Sequence, residues 1–141
     1  MSFLLDTNVV SELAKPQPNA GVVRWLDEAD EDSLFVSVIT LAELRFGVQR
    51  LAPGARRNRL DAWIREELAG RFEGRILAVD EGVAEMWGQL LASSEARGRR
   101  MNLMDCFLAA TAKVRRLILV TRNKEDFSPF TGELLNPWSV A

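Results

Sequence analysis

Apolar residues along the chain fall into two repeating patterns. Short, mostly apolar runs occupy residues 3–5, 34–38, 76–79 and 117–121, and their length and richness in Leu, Ile, Val and Phe predict buried strands. Between the runs, apolar residues recur at spacings of three and four. Val22, Trp25, Leu26 and Ala29 form one such helix face; Leu41, Leu44, Val48 and Leu51 a second; Leu60, Trp63, Ile64 and Leu68 a third; Val83, Trp87, Leu90 and Leu91 a fourth. All four stripes, tryptophans included, are expected to be core. Strands that alternate with helices and are apolar throughout imply parallel pairing with helices on both faces, because parallel strands need crossovers and crossovers are right-handed. The expected fold is therefore α/β, a three-layer α/β/α sandwich with a mostly parallel central sheet. Loops are marked at residues 16–19, at Pro53-Gly54 and at Gly98. None is long or biased enough to be a linker, so residues 1–141 are expected to form a single domain.

Composition narrows the chemistry. A chain of 141 residues, 48% hydrophobic, can bury a sizeable core, and it contains no histidine. Histidine bases, histidine metal ligands and Ser-His-Asp catalysis are thereby excluded within it. The one cysteine, Cys106, lies in an apolar run and is expected to act as a small core hydrophobe. No stretch reaches the 18–20 apolar residues of a membrane span, and the N-terminus has no basic region, long apolar segment or cleavage site, so a cytoplasmic protein is expected. The net charge of −2 argues against coating nucleic acid through bulk positive charge. Local basic clusters stand at Arg56-Arg57-Asn58-Arg59, Arg97-Gly98-Arg99-Arg100 and Arg115-Arg116; each reads either as a solvated helix face or as a phosphate contact.

Four acids occupy one kind of place. Asp6 follows the first strand, Glu43 lies at the start of the helix after the second, Asp105 begins the helix before the last run, and Asp126 follows that run. In a parallel sheet, positions just beyond the carboxyl ends of strands form the edge at which ligands bind. The structural alternative is capping: Thr40-Leu41-Ala42-Glu43 has capping-box spacing, Asn102 with Asp105 and Asn123 with Asp126 are variants of it, and Asp6 could be a plain N-cap. If the four converge, their repulsion calls for a cation or for raised carboxyl pKa values. All-oxygen donors with no histidine select Mg²⁺ or Mn²⁺ over zinc, and such an ion supports phosphodiester hydrolysis.

The segments Asp6-Thr7-Asn8-Val9-Val10-Ser11-Glu12, Thr40-Leu41-Ala42-Glu43-Leu44, Met104-Asp105-Cys106-Phe107-Leu108-Ala109 and Val120-Thr121-Arg122-Asn123-Lys124-Glu125-Asp126-Phe127, in that order, resemble the PIN-domain toxins of the VapC type. The resemblance covers essentially the whole chain. It extends to the tail Leu134-Leu135-Asn136-Pro137-Trp138, which looks like that family's last strand, anchored by the tryptophan. It implies an acidic metal site of Asp6, Glu43 and Asp105, with Asp6 and Asp105 as direct ligands. Asp126 or Asn123 would complete the site, while Thr7 and Asn8 either orient Asp6 or cap its helix. Cys106 departs from the small residue usual after the acid. The resemblance further implies Mg²⁺-dependent endoribonuclease activity, with transfer RNA as a family-level substrate, a homodimer, and a cognate VapB-like antitoxin that wraps the toxin and places a basic side chain in the acidic pocket. The alternatives are a catalytically weak module that only binds RNA or protein, and a dehalogenase-like phosphatase, which would want an acid where Asn8 stands.

Overall fold

The apolar runs assemble into five parallel strands in the computed structural model, which describes residues 1–139. They are β1 (Phe3–Leu5), β2 (Leu34–Ser37), β3 (Ile76–Leu77), β4 (Ile118–Val120) and β5 (Leu134–Leu135), in the spatial order β3-β2-β1-β4-β5. Every pairing is parallel. The tail supplies the edge strand β5, as the resemblance implied. Helices α1 (Thr7–Glu12), α2 (Ala20–Glu28), α3 (Val38–Gln49), α4 (Ala55–Ala62), α5 (Ala69–Arg71), α6 (Glu81–Ala96) and α7 (Leu103–Arg115) cover the sheet. A π-helical stretch, Trp63–Leu68, joins α4 to α5.

Alternation along the strands divides the core in two. Leu4 and Leu119 point into a layer with Leu91, Cys106, Leu108, Ala109 and Phe127, while Leu5, Val36 and Val120 point into the opposite layer with Val9, Val10, Val22, Leu26 and Phe72. Successive strand side chains must face opposite ways, so two apolar layers require apolar residues throughout. At the far edge, Arg75 donates to the carbonyls of Glu31 and Leu34, each at 2.6 Å, and Arg71 pairs with Glu31 at 2.8 Å, tying β3 to the segment before β2.

Two of the expected core stripes are only partly core. Leu44 and Val48 on α3, with Leu51 just past its end, face Leu60, Trp63 and Ile64 across an open groove. Val48 and Leu68 are buried, but the other members of these stripes keep part of their surface in water. Helical periodicity reports an apolar face and not what covers it. Phe46, one turn away, is 62% exposed, with the Arg50 guanidinium over its ring.

The chain runs outward from β1 to β3 on one side, then crosses back to β4 on the other. The switch point therefore lies between β1 and β4, where open α/β sheets leave a crevice at the carboxyl ends of the strands.

Candidate active site

Asp6 sits at that crevice. It caps α1, its Oδ1 accepting the Thr7 backbone N–H at 2.7 Å, while its Oδ2 accepts the Thr121 hydroxyl at 2.8 Å. Register dictates the second contact: Leu5 pairs with Val120, and the Asp6 amide donates to the Val120 carbonyl, so the residues that follow the two strands meet. Thr121 is fully buried and also accepts from the Asn123 backbone N–H at 3.1 Å and from Asn8 Nδ2 at 3.5 Å. Asn8 therefore reaches Asp6 through Thr121, and its Oδ1 accepts the Arg122 backbone N–H at 3.4 Å. The tail holds the same loop, with Asn136 Nδ2 donating to the Arg122 carbonyl at 3.3 Å and Trp138 beneath the Arg122 guanidinium.

Glu43 does not lie at a helix start. α3 begins at Val38 and is capped by Ser37, whose hydroxyl oxygen accepts the Ile39 N–H at 3.0 Å, so the capping-box reading of Thr40 and Glu43 is wrong. Glu43 stands in the second turn, where its Oε1 accepts the Thr7 hydroxyl at 2.6 Å. The buried Thr40 hydroxyl is 3.2 Å from that of Thr7. Thr7 thus links Asp6, through its amide, to Glu43, through its hydroxyl.

Asp105 is the third residue of α7. Asn102 caps this helix, accepting the N–H groups of Met104 and Asp105 at 2.9 and 3.2 Å; among the described residues, the Asp105 carboxylate returns no hydrogen bond to complete a capping box. Asp126 lies in the 3-10 turn Lys124–Phe127, and the Asn123 side chain does not cap that turn. Asp105 and Asp126 line one shallow pocket.

The four acids act on one another electrostatically. Burial raises the Asp6 carboxyl pKa against the lowering effect of Thr121 and Thr7, and Glu43 and Asp126 raise it further. Partial burial, with Asp6, Asp126 and Glu43 nearby, pushes Asp105 up to about 7. Such shifts are what burial first and gathered negative charge second produce in a carboxyl group. Among the described residues, however, no three acidic or cysteine side chains stand close enough to hold a metal ion as they are. The donor set still fits Mg²⁺ or Mn²⁺, which commonly takes one or two carboxylates and completes its shell with water and substrate phosphate. Zinc does not fit. The only thiol, Cys106, is fully buried behind Trp87, and burial raises its pKa to about 11, so it is no thiolate and packs as core.

Sequence reading had missed Thr121 and Thr40. A polar residue directly after the apolar strand 118–120 carries the signal that picked out Asp6, but its hydroxyl offered no chemistry of its own to notice.

The chain matches the PIN domain over residues 3–130. It is 40% identical over 136 residues to the toxin FitB of Neisseria gonorrhoeae, covering 96% of this chain and 98% of that protein. A VapC ribonuclease of Sinorhizobium fredii is 33% identical over 139 residues, covering 99% of each. Among solved structures, a FitAB complex bound to a DNA fragment superposes with a TM-score of 0.91 at 37% identity, over 99% of this chain and 97% of that one.

Proposed function

The chain belongs to the PIN-domain family, and from that premise we propose that it is a metal-dependent endoribonuclease, the toxin half of a toxin–antitoxin pair. One observation carries the reading: the buried Asp6 carboxylate lies at the switch point of the sheet within electrostatic reach of Glu43, Asp105 and Asp126. A purely structural N-cap would gain nothing from three neighbouring acids.

In this reading Asp6 and Asp105 would hold a Mg²⁺ or Mn²⁺ ion, with Glu43 and Asp126 completing the charge. When bound, the ion polarises a phosphoryl oxygen and lowers the pKa of water, so that hydrolysis needs no histidine. Thr121 and the Thr7 amide fix the two Asp6 oxygens, leaving the carboxylate a single orientation. The Thr7 hydroxyl holds Glu43, and the Thr40 hydroxyl braces that of Thr7. Asp105 would hold the ion in its deprotonated form, so metal affinity would rise as its proton is lost.

The groove between α3 and α4 supports the partner. Its apolar walls and its basic rim of Lys15, Arg56 and Arg59 complement a helical antitoxin segment with an apolar face and acidic flanks. Glu43 lines one end of the groove, so a basic side chain of that segment would reach the acidic site. Among the described residues no helix is long and apolar enough to cross a membrane. A ribonuclease toxin whose substrate is the cell's own RNA would act in the cytoplasm.

The second reading, a module that binds RNA without cutting it, draws on the acids not yet being gathered at ligating distance. The deciding experiment incubates antitoxin-free protein with a labelled total-RNA pool that includes transfer RNA, in Mg²⁺, Mn²⁺ or EDTA. Discrete products that need the metal and fall at least about 100-fold in a folded Asp6→Asn variant are expected. Metal-bound protein that cleaves nothing would favour the binding module.

A further inference from the structure

The three basic clusters, equivalent by sequence, occupy three different environments. Arg115 and Arg116 lie at the opposite end of the sheet from the acids, around a depression lined by Met1, Ser2, Phe35, Leu77 and Leu117, and Arg115 faces Asp80 at 3.5 Å. Arg56 and Arg59 belong to the apolar groove. That groove reaches the acidic site only at Glu43, whereas the third cluster meets its other side: Arg99 and Arg100 line the same pocket as Asp105, Glu125 and Asp126.

The loop that carries them is held firmly. Gly98, at φ +78°, makes a left-handed turn after α6, and the Gly98 and Arg99 amides donate to Glu95 and Ser94 carbonyls at 2.9 and 3.0 Å. Met101 is buried, its amide donating to the Ser94 hydroxyl oxygen at 3.1 Å. Arg99 Nη2 reaches the Glu125 carbonyl at 3.1 Å, bracing the loop against the turn that bears Asp126. Arg100 pairs with Glu95 at 2.9 Å in a half-exposed contact of the kind that water and salt loosen readily.

Two guanidinium groups thus share a pocket with three acidic residues, Asp105, Glu125 and Asp126, yet among the described residues neither forms an ion pair with any of the three. Their remaining donors lie beside the acids without neutralising them. An RNA strand crossing an acidic site needs such an arrangement, because the phosphate at the metal is followed by others that the surrounding acids repel. The guanidinium fork suits a phosphate oxygen pair.

We propose that Arg99 and Arg100 form a binding site for a non-scissile RNA phosphate next to the Asp105 and Asp126 pocket, and that the strand enters or leaves over the α6–α7 loop. The inference rests on the ribonuclease reading. It distinguishes this cluster from Arg115 and Arg116, which touch no RNA.

The test compares Arg99→Gln/Arg100→Gln with Arg115→Gln/Arg116→Gln in two assays: metal-dependent cleavage of transfer RNA, and binding of the same RNA by fluorescence anisotropy in EDTA at several salt concentrations. Melting curves verify folding, and Arg99→Lys/Arg100→Lys, which keeps the charge, serves as a second variant. The first pair should lose about tenfold or more in binding and kcat/KM, mainly through KM, with the salt slope of binding reduced by about 1–2. The lysine variant should recover part of the binding, and the Arg115/Arg116 variant should match wild type. Equal losses from both glutamine pairs, or none from either, would overturn the proposal. Wild-type protein that binds RNA through Arg99 and Arg100 but never cleaves it would sink the ribonuclease reading and leave this site standing.

Discussion

Asp105 holds its proton to about pH 7 because partial burial and three neighbouring acids disfavour its charge. Its folded pKa lies above the ordinary value of 3.8, so the folded state binds the proton more tightly than the unfolded chain. The metal-free fold therefore loses stability as pH rises from about 4 to about 7, with no further change from this group above that. Asp105→Asn abolishes the titration and keeps the backbone cap from Asn102. In EDTA at pH 8 the variant should be more stable than wild type by on the order of 1–2 kcal/mol after discounting for solvent screening, and the difference should vanish toward pH 4. Denaturant melts at the two pH values decide it; a variant less stable than wild type at pH 8 would mean that the acids do not crowd. Thr121 makes the complementary case. Thr121→Val removes the donor to Asp6 Oδ2 and leaves buried partners unpaired, which should cost about 1–3 kcal/mol and weaken Mn²⁺ binding, whereas Thr121→Ser should keep both near wild type. Calorimetric titration with Mn²⁺ separates the two, and equal affinity in the valine variant would remove Thr121 from the site.

At the scale of elements, sequence reading succeeds where a segment's own pattern decides its fate and fails where a neighbour decides. Residues 3–5 and 118–120 are strands because they are apolar on both faces, and the place of the acid at position 6 follows from them. The start of α3 was misplaced because Thr40 and Glu43 have capping spacing, while Ser37, three residues earlier, ends β2 and does the capping. Nothing local says that Thr40 points instead toward Thr7, which is brought there by the pairing of β1 with β2. The stripes on α3 and on the α4 segment are a parallel case, since their periodicity is real but the helices splay into a groove. If that groove seats the antitoxin, Leu60→Glu should weaken the toxin–antitoxin complex at least about tenfold while leaving RNA cleavage and the melting temperature nearly unchanged, because Leu60 is only half-buried in the free protein. Surface-plasmon binding to the co-expressed antitoxin reads this, and an unchanged dissociation constant would move the partner elsewhere.

The molecule as a whole gathers its acids from elements that lie far apart in sequence. Asp6 comes from the end of β1, Glu43 from α3, Asp105 from α7 and Asp126 from the turn after β4, and only the order β3-β2-β1-β4-β5 brings them to one crevice. The α1–α2 layer and the α6–α7 layer thus meet through charges that repel. An ion at this point would join the two layers, and because the unfolded chain leaves these acids scattered, it would bind the native state alone. Its stabilisation then follows mass action, about 2.7 kcal/mol at an ion concentration 100 times the dissociation constant. For a chain of this length that corresponds to a rise of roughly 8 °C in melting temperature. The rise should grow from pH 6 to pH 8 as the Asp105 proton is lost, which is the opposite of the trend for the metal-free protein. Asp6→Asn should abolish most of it. A melting temperature that responds to Mn²⁺ equally in wild type and in Asp6→Asn would place the ion elsewhere on the surface, and the convergence of the four acids would then need another explanation.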